Sequence, residues 1–414
     1  MSAVQIFYSI IAILVFDFLL GKTLVLLNAS RMSDPVPEEL DGVFDEQQYK
    51  KQQKYSRANL RFGILSSIFS FILIMGMFLF AGFAWLDELV KGITQNEILI
   101  ALLFFGILML ASDLLDIPFS LYDTFVIEEK FGFNKTTPGT FFLDKIKSWF
   151  LGGIIGGGLL ALIVWFYSLA GEYFWLYVWA VMAVFMIFMS MFYSNIIVPL
   201  FNKQEPLPEG ELREEIEAFG NKAGFKIDNI YVINGSKRST KANAYFTGLG
   251  KRKRIVLYDT FIEDLETSEI VAVLAHEIGH YKKKHTMISL FTGLLQTGFM
   301  LYLLSLFVNE WPLAEALGVK EPAFHISLIV FAILYSPVSL ILGLIMNMLS
   351  RKNEYQADNF ADSHGLGKEL ISGLKKLSSK NLSNLTPHPA YVFFHYLHPP
   401  LLQRLLNLKQ KIKS

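Results

Sequence analysis

The chain has 414 residues, 53% of them hydrophobic, with 37 basic and 37 acidic side chains and no cysteine. The missing thiols exclude disulfides, thiolate catalysis and cysteine-ligated zinc. The balanced charge gives no argument for a nucleic-acid partner, and none is expected. Its apolar residues come in long blocks rather than dispersed, which points to a mainly α, polytopic membrane protein.

Apolar blocks of about 20 residues, the length that spans a bilayer, lie at 7–27, 63–86, 97–119, 149–170, 174–199, 287–308 and 324–349. They predict seven transmembrane helices. The first has no basic residue before Phe7 and no small-x-small end, so it reads as an anchor rather than a cleaved signal. Arg31, Lys50, Lys51, Lys54, Arg57 and Arg61 follow the first span, and Lys130, Lys135, Lys145 and Lys147 follow the third. The intervening loops carry Lys91, no basic residue, and Lys320. This alternation predicts an outside N-terminus and a cytosolic C-terminus. Two membranes fit, a bacterial inner membrane and the endoplasmic reticulum.

Asp17, Lys22, Asp113 and Asp116 lie inside or at the ends of spans. Two readings stay open for them. Lys22 snorkels to the interface and the aspartates pair structurally, or they face a hydrated cavity. A charged helix is expected over 44–60, and Gly132-Phe133-Asn134 reads as a turn. Gly152, Gly153, Gly156, Gly157 and Gly158 have helical small-residue spacing, which predicts close packing against a neighbouring helix.

Residues 200–286 form the main soluble insertion. An amphipathic helix is predicted over Glu209–Gly224, stopped by Gly224. Strands are predicted at 229–233 and 254–258, with a third candidate at 242–248. A further helix is expected to start with Thr267 as its N-cap and to carry Glu269 in its first turn. It leads into His276-Glu277-Ile278-Gly279-His280.

Residues four apart share a helix face, so His276 and His280 can present two imidazoles to one metal ion. Glu277 lies about 100° round, within reach of a water at that ion. A catalytic zinc needs three protein ligands and an open position. A metzincin would have a glycine at 283 and a third histidine at 286, where this chain has Lys283 and Thr286, so a carboxylate is required. Glu354 is the candidate, because spans six and seven return its helix to the same membrane face. Asp358, one turn on, can accept a hydrogen bond from the non-ligating nitrogen of His276. Glu277 is then the general base.

The other histidines receive lesser readings. His285 is about 140° round from His280 on a continuous helix, which predicts a solvated contact with head groups, as for Lys282, Lys283 and Lys284. His325 is expected at the outer interface and His364 as a helix cap. His388 and His395 are unassigned.

Several segments together resemble the type-I CAAX prenyl proteases, integral-membrane zinc metalloproteases of family M48. They are Glu39-Leu40-Asp41-Gly42 with Tyr49-Lys50, residues 131–136 (FGFNKT), 235–239 (GSKRS), 243–248 (NAYFTG), 276–280 (HEIGH), 353–358 (NEYQAD) and His398-Pro399-Pro400. The match runs nearly end to end. The resemblance implies seven helices around a water-filled chamber and a small α+β cytosolic metalloprotease domain holding one zinc. It implies that Asn243 and Ala244 lie on an edge strand that pairs with substrate, that His398 donates to the oxyanion, and that Arg404 helps hold substrate or the site. The implied substrate is a peptide with a C-terminal prenylated Cys-a-a-X sequence, met at the lipid surface.

The expected organisation is membrane helices and loops at 1–199, the metalloprotease domain at 200–286, a membrane hairpin at 287–349, and the rest of that domain at 350–414. Two other functions fit parts of the pattern. One is a quality-control protease with unprenylated clients. The other is a channel or transporter with a structural metal, disfavoured because a closed structural site wants four protein ligands.

Overall fold

The computed structural model describes residues 1–225, 229–248, 254–308 and 310–412. Among them, six helical segments are long and apolar enough to cross a membrane: Ala3–Ser30, Glu46–Leu79, Glu97–Phe131, Pro138–Phe201, His285–Phe307 and Phe324–Ser363. The difference from the expected seven lies in the segment Pro138–Phe201, which holds both 149–170 and 174–199. It doubles back at Gly171, whose φ of 53° lies in the left-handed region. Across that turn Phe166 stacks on Tyr177, with ring centroids 5.5 Å apart.

The helix elements touch neighbour to neighbour in a closed ring. Ala3–Ser30 meets Phe324–Ser363, which meets His285–Phe307, then Phe174–Ile196, Gly157–Ala170 and Glu97–Tyr122. The ring closes through the π-turn Asp123–Glu128 onto Glu46–Leu79, and from there back to the first helix. Cavities of about 1360 and 690 Å³ lie inside.

The glycine run corrects the sequence reading. A Cβ placed at Gly152, Gly153, Gly156 or Gly158 would meet nothing within 4 Å, and at Gly157 only Leu102, at 3.7 Å. These glycines line the larger cavity instead of seating a helix. A π-turn at Gly152–Gly156 accompanies them. On the same wall Asp113 accepts from Lys145 Nζ and Trp149 Nε1, both at 2.7 Å. Asp17 lines the smaller cavity and accepts from Ser336 at 3.0 Å. Asp116 accepts from Ser120 on its own helix. Lys22 donates to Ser67 on the next helix.

The charged helix expected over 44–60 and the second span are one helix. It starts behind Asp45, whose Oδ1 accepts from the Gln48 N–H at 2.7 Å. The soluble insertion follows the expected order. Its helix runs Glu211–Lys222, with Gly224 at φ 60° just beyond. The strands are β1 (Gln204–Pro206), β2 (Ile230–Ile233), β3 (Ala244–Thr247) and β4 (Arg254–Tyr258), in sheet order β1-β2-β4-β3. The short β1, not anticipated, pairs antiparallel with β2. The β2–β4 pair is parallel and the β3–β4 pair antiparallel, so β3 ends the sheet. Beneath it a core of Phe225, Ile255, Leu257, Phe261, Ile270 and Leu274 joins the sheet to the motif helix.

Candidate metal centre

The motif helix runs Thr267–Lys282, and its N-cap is Glu266, one residue before the expected Thr267. Glu269 supplies the cap by accepting from the Glu266 N–H at 2.9 Å. Ile270, Ala272, Leu274, Ala275 and Ile278 are buried and seat the helix in the core. The second partner is the helix Phe324–Ser363. At a rise of about 1.5 Å per residue its 40 residues amount to about 60 Å of helix, continuous through Pro337, so a single helix joins the membrane region to the centre.

The two helices cross at Gly279 and Ala357. A Cβ on Gly279 would lie 3.0 Å from Phe360 Cβ, 3.1 Å from Ala357 Cα and 3.2 Å from Ala357 O. Only a glycine permits that approach. It places Glu354 and Asp358, one turn apart, against His276 and His280.

Ligand atoms of His276, His280 and Glu354 all lie within 4.8 Å of one another. His276 Nε2 and His280 Nε2 face each other at 3.1 Å. Glu354 Oε1 is 3.2 Å from His280 Nε2, and Glu354 Oε2 is 3.5 Å from His276 Nε2. Two ring nitrogens and a carboxylate converging this way fit a shared divalent cation. Glu354 Oε2 is buried without a hydrogen bond, although His398 Nδ1 stands 2.8 Å away, off the angle such a bond requires. That orphaned acceptor is a second sign that the residues fit a metal ion.

The shell behind these side chains is polar and closed. His276 Nδ1 meets Asp358 Oδ1 at 2.8 Å, the partnership expected from the sequence. Burial works against a charge on His276, but the Asp358 and Glu354 carboxylates outweigh it and push the imidazole up to about 9. Arg404 grips Asp358 with both arms, Nε to Oδ2 at 2.9 Å and Nη2 to Oδ1 at 2.5 Å. Its Nη1 lies 3.8 Å from Glu354 Oε2.

Glu277, His280, Glu354, His398 and Phe246 line a cavity of about 390 Å³ at the centre. Phe246 comes from β3, so the edge strand that begins at Ala244 borders the same space. Asn243 caps the start of that strand, with Oδ1 accepting from the Ala244 N–H at 2.8 Å.

Two histidines sit differently from the sequence reading. His285 is buried, not solvated, and its Nδ1 is 3.0 Å from His280 Nδ1. The 140° estimate assumed one continuous helix. The chain instead breaks at Lys284, with φ 61°, and His285 starts the next helix turned back toward the centre. A lysine in the left-handed region gives no sequence signal. His325 is likewise buried rather than interfacial, with Nε2 2.7 Å from Asp87 Oδ1. His364 caps its helix as expected. His388 caps the helix Pro389–His395 through Nδ1, and His395 lines the 690 Å³ cavity.

Comparison with known proteins agrees with this architecture. Residues 26–203 match the family model described as CAAX prenyl protease N-terminal, five membrane helices, and residues 206–412 match peptidase family M48. The chain is 36% identical to CAAX prenyl protease 1 homolog of Arabidopsis thaliana over 378 residues, 89% of each chain. It is 33% identical to the Homo sapiens protein of that name, covering 90% of this chain and 88% of the other. The crystal structure of S. mikatae Ste24p superimposes with a TM-score of 0.93 at 34% identity, covering 97% of this chain and 99% of that one. With the His-His-carboxylate cluster seated between two helices of such a fold, the chain belongs to peptidase family M48, as a multi-pass membrane metalloprotease of the CAAX prenyl protease group.

Proposed function

We propose that this protease uses zinc to remove the last three residues from prenylated C-terminal Cys-a-a-X peptides, at the cytosolic face of its membrane. The observation that carries the reading is the His276, His280 and Glu354 donor set opening on a cavity bordered by the terminal strand of the sheet. The substrate class is supported by the relatives named CAAX prenyl protease 1. The orientation is supported by the basic loops. Lys375 of the soluble part donates to Asp41 O in the first loop, and Thr136 of the second donates to Arg238 O, so those loops and the centre share one face. The catalytic domain is then read as interrupted by the membrane hairpin at 287–349.

Zinc, when bound, supplies a Lewis acid and an acidified water. His276, His280 and Glu354 hold it. Asp358 fixes the His276 tautomer, and Arg404 neutralises Asp358. An extended peptide added to the open edge of β3 pairs with the main chain from Ala244 onward and runs past Glu277. The Asn243 carbonyl is taken by the Tyr258 N–H of β4, and Asn243 instead fixes the start of the strand. Glu277 accepts the proton of the attacking water and passes it to the leaving amine. His398, two-thirds exposed beside Glu354, donates to the carbonyl oxygen as negative charge develops there.

The test compares the full chain and Glu277→Gln on a farnesylated Cys-a-a-X peptide and its unprenylated counterpart. Wild type is expected to cleave the farnesylated peptide, and Glu277→Gln to be about 10²–10⁴-fold slower. Undiminished turnover by Glu277→Gln would overturn the mechanism. Equal cleavage of both peptides by wild type would overturn the prenyl dependence and favour unprenylated clients.

A further inference from the structure

We propose that His285 is a positioning residue that fixes the tautomer of His280, and that Gln356 fixes His285 in turn. This rests on reading His280 as a metal ligand through Nε2. A neutral imidazole that gives Nε2 to a metal carries its proton on Nδ1. His280 Nδ1 faces His285 Nδ1 at 3.0 Å. His285 Nδ1 must therefore be the acceptor, and its proton sits on Nε2. That Nε2 lies 3.0 Å from Gln356 Oε1, an acceptor.

The relay is consistent along its whole length: His280 Nδ1–H to His285 Nδ1, then His285 Nε2–H to the Gln356 carbonyl. With the Gln356 amide turned over, its N–H₂ would claim the lone pair of His285 Nε2. His285 would then carry its proton on Nδ1, and two protonated nitrogens would face each other. One arrangement of the three side chains avoids that.

The two histidine ligands are thus supported by different chemistry. His276 leans on the Asp358 carboxylate, itself neutralised by Arg404. His280 leans on a neutral imidazole. A second carboxylate in that place would put another buried negative charge near Glu354, whose cost a neutral acceptor avoids. His285 is placed by the chain break at Lys284, and Gln356 lies two residues beyond Glu354 on the long helix. The helix crossing that builds the ligand set therefore also places Gln356, and the break at Lys284 adds His285 to complete the relay.

The test measures zinc affinity of the full chain in detergent by competition with a chromophoric chelator, for wild type, His285→Leu, His285→Asn and Gln356→Leu. His285→Leu is expected to weaken zinc binding about 10–100-fold. His285→Asn is expected to restore most of it, because the asparagine Oδ1 stands where Nδ1 stood and accepts the same proton. Gln356→Leu is expected to lose less than His285→Leu, since it frees the relay without cutting it. Wild-type affinity in His285→Leu, or equal losses in the Leu and Asn variants, would overturn the proposal, the latter by reducing His285 to a space-filling role. A wild-type chain that binds no zinc would overturn the reading of the centre itself, a result distinguishable from either of these.

Discussion

At the scale of single residues, Glu269 ties the motif helix to the helix Gly367–Lys380. Its buried carboxylate accepts from Ser372 Oγ at 2.6 Å, from Lys376 Nζ at 2.8 Å and from the Glu266 N–H at 2.9 Å. Burial alone would raise its carboxyl, but these donors hold it below its ordinary value of 4.5. A carboxylate lowered on folding adds stability above its unfolded value and loses it as pH falls. Glu269→Gln is therefore expected to cost about 1–3 kcal/mol at pH 7. That cost should vanish in acid, below the ordinary carboxylate value. Apparent melting temperatures across pH check it; a pH-independent gap would contradict the assignment. Residue by residue, the legible part of the site was what helical spacing encodes, the His276, His280, Glu354 and Asp358 positions. His285 and His325 were misread because one depends on a backbone break and the other on Asp87, 238 residues away.

At the scale of elements, the centre depends on one helix crossing. Gly279→Ala gains about 1 kcal/mol of helix propensity. Its Cβ, however, would press on the Ala357 Cα and O at 3.1 and 3.2 Å, atoms that cannot rotate away. Overpacking of this kind costs about 1–3 kcal/mol and here must separate the helices that carry the ligands. The variant is expected to fold with weakened zinc affinity in chelator competition, and unchanged affinity would contradict the crossing as the determinant. The sequence showed the start of the motif helix to within one residue and the His364 cap of the long helix, but ran the motif helix on through the break at Lys284. It did not show that Gly279, inside the motif, is the contact point, since a glycine there reads equally well as a spacer. The order of the sheet was also hidden, because β1 is three residues long and ends in proline.

At the scale of the whole molecule, hydropathy carried the membrane helices. Lipid forces every span to satisfy its backbone internally, so long apolar blocks become helices. What lies between the helices was not legible: the glycine run and the packing glycines look alike in sequence. Gly298 shows the contrast, since its Cβ would meet the Trp179 indole at 2.9 Å. Gly298→Leu is expected to lose about 1–3 kcal/mol through overpacking, while Gly153→Leu, projecting into open cavity, leaves the melting temperature nearly unchanged. Equal losses would return the glycine run to a packing role. The central claim is that a carboxylate from beyond the last membrane span completes a zinc site begun by the motif helix. Zinc content and farnesyl-peptide cleavage, measured on the same preparations of wild type and Glu354→Ala, test it most directly. The account predicts one zinc per chain and cleavage for wild type, with both lost in Glu354→Ala; a Glu354→Ala protein that keeps its zinc and its cleavage would contradict it.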